Sequence, residues 1–352
     1  MSRPTHQQAT LFTLSAILFC LILANIFCGS INIPFQAIID ILLGKEVSGH
    51  TAWTYIILHS RIPQLITSAF VGMSLAICGL LLQTTFRNPL AGPSILGIDS
   101  GASLGVAICM LLFGGNISLG GASFGGTMVC IIAAMFGSIA IMLLLTALNA
   151  LLRNTIMLLI TGVIISYITS SIISLLQFWA NHDGLQSYVM WGMGNFSCVS
   201  TEQLPIFISI LGFGLLMAFL LIKPLDALLL GDKYAENLGV NTTRTRHLLL
   251  LCTGILTAVC TAFCGPISFI GLATPHLARF ISKSGSHRAL LPMSLLLGAS
   301  ISLLCNLLCN MPQYNVLPIN VLTPLIGAPV VIYHTLSPVL RNKRWCFNNK
   351  RK

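Results

Sequence analysis

Long apolar runs alternate with short polar breaks along nearly the whole chain, at residues 11–29, 62–83, 94–113, 123–149, 156–179, 203–222, 247–264, 267–282, 289–309 and 321–338. Most run to about 20 residues, the length a helix needs to cross a hydrocarbon core about 30 Å thick, so the pattern predicts about ten transmembrane helices. The first run is longer than a signal-peptide core, and Arg3 is the only charge before it, so it reads as a retained span. The eighth is short and carries Pro275, which predicts a tilted or broken crossing buried among neighbours. Between the first two runs, Pro34 opens a segment in which Ile38, Ile41 and Leu42 share one helical face, predicting a short interfacial helix over 33–43.

Composition agrees. Of 352 residues, 55% are hydrophobic and 7% charged, and mean hydropathy is +0.90, leaving little for a domain outside the bilayer. The chain therefore reads as a single all-α transmembrane domain over 1–352. The 18 Lys+Arg against 8 Asp+Glu give a net charge of +10, and its placement explains it. With the N-terminus inside, Arg87, Arg153, Lys223, Arg244, Arg279, Lys283 and the tail from Arg341 onward fall on the cytoplasmic side, whereas Lys45 and Arg61 fall outside. Both termini are then cytoplasmic, and no nucleic-acid partner is needed to account for the charge. The longest internal connection, 223–247, sets Asp226, Asp232, Glu236 and Arg246 among Leu228, Leu229, Leu230 and Leu238. It reads as two short helical turns, ended by Gly239, with apolar residues that call for a cytoplasmic docking partner.

The chemistry of the usual machines is missing from the sequence. There is no phosphate-cradling G-x-x-x-x-G-K-[ST], no H-E-x-x-H and no G-x-S-x-G, so the expectation is no catalytic residue and no metal or cofactor bound by this chain. Of the acids, only Asp99 falls at membrane depth, which leaves an ion-coupled carrier using Asp99 as the alternative reading. His276 and His334 read as helix-packing residues, and a haem-binding redox protein is the weaker third reading. The pairs Cys260/Cys264 and Cys305/Cys309 share helix faces, where a free cysteine behaves as a small hydrophobe. Gly72/Ala76/Gly79 and Gly97/Gly101/Gly105 predict closely packed helices. Gly92-Pro93 followed by Gly97, and Gly265-Pro266 followed by Gly271, hint at an internal repeat with broken helices.

Specific strings go further than composition. Arg61-Ile62-Pro63-Gln64, the run Gly72 to Gln83, and Arg87-Asn88-Pro89-Leu90-Ala91-Gly92-Pro93 through Gly97-Ile98 resemble the FecCD family of ABC-transporter permeases, importers of iron–siderophores, haem and cobalamin. The resemblance continues through Trp191-Gly192-Met193-Gly194, Leu230-Gly231 to Leu238-Gly239-Val240, Gly265-Pro266 to Leu272 with Pro275-His276 to Arg279, and Leu322 to Pro329, covering about residues 11–338. It implies a type II ABC importer permease fold in a bacterial cell membrane, the inner one where two exist. The permease would be a homodimer in lipid, served by two cytoplasmic ATPase subunits that use ATP and Mg and by an external substrate-binding protein.

By motif, Leu230, Gly231, Asp232, Glu236, Leu238 and Gly239 match the ATPase-coupling loop. Arg61 and Gln64 match positions that receive the binding protein. Asn88, Leu90, Thr155 and Ile156 match the cytoplasmic gate. Two departures stand out. Gln64 replaces the second arginine of an Arg-x-Pro-Arg pattern, removing one charge-assisted contact, and Asn320 stands where an acid is common before the last span.

Overall fold

The computed structural model describes residues 6–45, 51–113, 117–119, 122–124, 126–152, 155–311, 317–329 and 331–332. His334, the C-terminal tail and part of the last apolar run lie outside the described residues. The chain begins with α1 (His6–Phe27), α2 (Phe35–Leu42), the long α3 (Thr51–Thr85) and α4 (Ile98–Leu112). A short antiparallel hairpin, β1 (Ile117–Leu119) with β2 (Ala122–Phe124), precedes α5 (Gly126–Leu152), α6 (Thr155–Trp179) and α7 (His182–Gly192). Then follow α8 (Leu204–Leu220), α9 (Ile222–Leu229), α10 (Asp232–Asn237), α11 (Thr242–Cys264), α12 (Ile270–Ser282), α13 (His287–Asn310) and α14 (Ile319–Pro329). Apart from this three-residue-per-strand hairpin the described elements are helical, as the all-α reading expects.

The expected ten or so spans resolve differently. Among the described residues six helices are long and apolar enough to cross a membrane, namely α1, α3, α5, α6, α11 and α13; α8 and α9, bent by 50° at their junction, make a seventh if counted as one span. The runs at 94–113 and 267–282 give the shorter helices α4 and α12, and the described part of 321–338 lies largely in α14. Backbone breaks account for the first two. Gly97 takes φ +77° before α4, and Gly265 at φ +77° with Phe269 at φ +67° precedes α12. The break before α12 thus lies upstream of Pro275, which sits inside the helix rather than ending it. Pro275 has no N–H for the Gly271 carbonyl one turn earlier. That carbonyl packs so closely on Gly79 of α3 that a Cβ at Gly79 would collide with it. Gly72 meets Gly298 of α13 in the same way, so the small-residue stripe read from the sequence is where backbones touch.

α3, α11 and α13 form the middle of the bundle. Val71, Leu80 and Leu81 of α3, Leu249 and Leu256 of α11, and Leu291 of α13 belong to one buried cluster, with Phe207 of α8 set edge-on to Phe263 at 5.3 Å between ring centroids. The interfacial α2 starts behind Pro34 as expected. Ala37, Ile38 and Ile41 face inward onto Ile33 and Ile57, whereas Leu42 is exposed because the inward stripe runs through Ala37 instead. Within α3, residues Ile57–Arg61 form a π-helical turn that carries Arg61.

Candidate functional site

The 223–247 connection folds into two short helices with opposite faces. Gly231, at φ +115°, makes the sharp corner between α9 and α10 that a side chain would resist. Ala235 packs inside, while Leu229, Leu230, Tyr234 and Leu238 are exposed. Gly239, at φ +81°, ends α10, and the Asn241 side chain caps α11 by accepting from the Arg244 N–H.

Charged and polar side chains brace this unit against the bundle. Asp232 accepts from Arg87 at 2.7 Å and from Arg246 at 2.8 Å, and Arg87 also donates to the Leu228 carbonyl at 3.2 Å. Glu236 accepts from Thr242 Oγ1 at 2.9 Å. On the other flank, Asp226 of α9 accepts from the His287 backbone N–H at 2.8 Å and pairs with His287 Nδ1 at 2.7 Å, while Ser286 donates to its second oxygen at 3.1 Å. His287 is buried at the start of α13, and its Nε2 meets Thr84 Oγ1 of α3 at 2.8 Å. One polar chain therefore links α9 to the two most central helices. Sequence reading named Asp226 and Arg246 in the loop and Arg87 in a motif string, but it did not find His287 or any of these pairings. The pairings are long-range: Arg87–Asp232 joins residues 145 apart and Asp226–His287 residues 61 apart.

The gate candidates sit on a turn bolted to α12. Asn88 Oδ1 accepts from the Leu90 N–H at 2.9 Å, and the Pro89 carbonyl accepts from His276 Nε2 at 2.8 Å, so His276 is a packing residue as read. Gln83 donates to the Leu272 carbonyl at 3.2 Å and accepts from Arg279 at 2.5 Å. Leu90 is half-exposed and Ile156 exposed at the start of α6, and Ala91 shares an apolar cluster with Leu158 of α6, which brings the two gate segments to one end. Thr155 opens α6, and its side chain lies outside the described residues.

At the opposite end of α3, Arg61 is buried. Its guanidinium donates to the carbonyls of Ile26 at 3.0 Å, Phe27 at 3.4 Å and Ile31, so in this structure it closes the α1–α2 connection. Gln64 donates to Asn306 Oδ1 at 3.0 Å, within a network that includes Asn25 and Asn310. Asn320 has a role that an acid cannot fill. Its Nδ2 donates to the carbonyls of Gly192 at 3.0 Å and Pro266 at 2.5 Å while its Oδ1 accepts from the Ser268 N–H at 3.2 Å. A carboxylate has no N–H for the first two.

Two cavities flank α7. One, of about 730 Å³, is lined by the ends of α4 and α11 with Met190, Trp191 and Asn195. The other, of about 410 Å³, lies between α4, α6 and the break before α12, with Tyr188 and Asn320 at its wall and Asp99 inside. Asp99 Oδ1 accepts from Thr261 Oγ1 of α11 at 2.7 Å.

The model of the FecCD transport family matches residues 17–337, and the chain belongs to that family. It is 35% identical over 325 residues to the Fe(3+) dicitrate transport system permease protein FecD of Escherichia coli, covering 92% of this chain and 96% of that protein. It is 34% identical to the vitamin B12 import system permease protein BtuC of Klebsiella pneumoniae, with 78% and 80% covered. It is 32% identical to the molybdate import system permease protein MolB of Haemophilus influenzae, with 93% and 95% covered. A solved inward-facing structure of a metal-chelate type ABC transporter superposes with a TM-score of 0.81 at 28% identity, over 94% of this chain and 99% of that one. These relatives are transport permeases rather than enzymes.

Proposed function

We propose that the chain is the permease subunit of an ATP-binding-cassette importer that moves a metal-bearing substrate, an iron chelate, haem or a corrinoid, into the cytoplasm by alternating access. The observation that carries this is the α9–α10 unit. It holds exposed Leu229, Leu230, Tyr234 and Leu238 on a frame tied by Asp232 and Asp226 to α3, α11 and α13. Apolar residues held so firmly at a bundle end suit docking to a soluble subunit, and the frame suits passing a push to the bundle. In this reading two ATPase subunits dock there and use ATP and Mg, and an external binding protein delivers the substrate. A second copy of the chain packs across the exposed apolar face of α6. The chain crosses an inner bacterial membrane about ten times, with α4, α12 and α14 as short crossings and both termini inside. The ion-coupled alternative gains no support, because Asp99 is a single acid already held by Thr261.

The test is uptake into vesicles containing the chain with its ATPase and binding protein, beside a Gly231→Ala/Leu238→Ala double variant. ATP-dependent uptake of one chelate, lost in the double variant while the bundle still folds, is the expected result. Uptake driven by an ion gradient without ATP overturns the proposal.

A further inference from the structure

α4 and α5 run antiparallel in backbone contact beside the larger cavity. A Cβ at Gly101 of α4 would collide with the Gly137 carbonyl of α5, and a Cβ at Gly105 with the Ala133 carbonyl, so each turn forward on one helix is matched by a turn back on the other. The next turn brings Cys109 level with residues 129–130. There the Cys109 and Cys130 sulfurs, both buried, lie 3.9 Å apart. A disulfide needs its two Cα atoms within about 7 Å, whereas packed helices have axes roughly 8–10 Å apart, so a close, glycine-lined crossing of this kind is what puts two helices within reach of one bond. The pairs Cys260/Cys264 and Cys305/Cys309 each lie on a single helix and join nothing new.

The position of the pair is as telling as its spacing. Cys109 sits in the π turn Ile108–Leu112 that ends α4, and Cys130 in the opening turns of α5, on either side of the β1–β2 hairpin. The other end of α4 lies at the gate turn, where Ile98 shares an apolar cluster with Phe86 and Ala91, and Arg87 of that turn pairs with Asp232 of the α9–α10 unit. The two thiols are therefore at the end of the bundle away from α9–α10.

We propose that Cys109 and Cys130 are a modification site, an interhelical disulfide formed on the external side that staples α4 to α5. The inference takes its side of the membrane from the permease reading, in which α9–α10 faces the cytoplasm. The opposite end then faces the oxidising compartment, where disulfides form and persist. Cys130 lines the larger cavity, and a small disulfide compound reaches it from there. The Cys130 thiolate attacks one sulfur of that oxidant and expels a thiol, leaving a mixed disulfide; the Cys109 thiolate then attacks the Cys130 sulfur and expels the second thiol. The pair gives up two protons and two electrons, and the oxidant leaves as two thiols. The bond fixes the spacing of the helices where Met110, Leu111, Cys130 and Ile131 wall the cavity, and it closes a loop of chain around the hairpin.

Differential alkylation tests the proposal. The full chain is expressed with its ATPase in a bacterium whose external compartment is oxidising. It is denatured directly from cells in acid, treated with a light maleimide in detergent and chelator, then reduced and treated with a heavy maleimide, and each cysteine is read by mass spectrometry of its peptide. The expected result is heavy label on Cys109 and Cys130 and light label on Cys305 and Cys309, with Cys109 turning light in Cys130→Ser. A linked peptide carrying both residues, present only before reduction, identifies the pair even if that variant folds poorly. Light label on Cys109 and Cys130 in the unaltered chain overturns the inference, and so does heavy label on Cys109 that persists in Cys130→Ser. Failure of the permease reading looks different: it is uptake that needs no ATP, whereas light label beside ATP-driven uptake removes the disulfide alone.

Discussion

α3 and α6 are almost equally apolar, at a mean hydropathy of 2.2 over their best stretches, yet 72% of that stretch is buried in α3 and 22% in α6. The contrast extends to their neighbours. α11 and α13, at 2.0 and 1.8, are 72% and 67% buried, while α1 and α5, at 2.3 and 2.7, are 11% and 33% buried. Apart from α3, which ties with α6, the helices inside the bundle are the less hydropathic ones. Lipid rewards hydrocarbon alone, whereas a neighbouring helix rewards small and hydrogen-bonding side chains that let backbones approach. α11 shows it with Thr253, Thr257, Thr261, Cys252 and Cys260, all buried, and α6 shows the opposite with Ile164, Ile168, Ile172 and Phe178 exposed.

Three substitutions sharpen that contrast. The largest effect belongs to Gly79→Val, because its new methyls have nowhere to go against the Gly271 carbonyl. It should cost upward of about 3 kcal/mol, seen as loss of the monodisperse peak in detergent. His287→Ala comes second. It strips partners from Asp226 and Thr84 at a buried site and should cost about 1–3 kcal/mol, read as a lower thermal midpoint together with faster proteolysis of the α9–α10 unit. Ile164→Ala on the open face of α6 should change unfolding of the isolated subunit by no more than about 0.5 kcal/mol, with its effect confined to chemical cross-linking between two copies. A ranking in which Ile164→Ala outweighs Gly79→Val would show that α6, not α3, is the centre of the bundle.

Much of this was legible in the sequence, and the failures have physical causes. Apolar runs located the helices because a hydrocarbon solvent imposes a minimum length. They marked α12 as short but did not separate α4 from the long spans, because run length does not register the positive-φ break at Gly97. The turn structure of the 223–247 loop was readable from Gly231, Gly239 and the leucines, all of which are local signals. Its bracing was not, since Arg87–Asp232 and Asp226–His287 join residues 145 and 61 positions apart. Arg61 was legible as part of the Arg61-Ile62-Pro63-Gln64 string. Its turn toward the carbonyls of residues 26, 27 and 31 depends on how the α1–α2 connection folds back, which no local motif encodes. Asn320 stood out as a departure from an acidic position, and only the three-way junction it holds explains why an amide belongs there.

The length of α3 sets the protein's vertical placement. Its 35 residues, at about 1.5 Å each, make a rod roughly 52 Å long. A hydrocarbon layer about 30 Å thick covers little more than half of it. Once the deeply packed stretch around Gly72 and Gly79 lies in that layer, the segment before the π turn, with the exposed Tyr55, stands well clear of it. The overhang makes α3 a lever: a thicker bilayer would cover more of it or tilt the whole rod, moving the exposed leucines at the far end relative to the surface they leave.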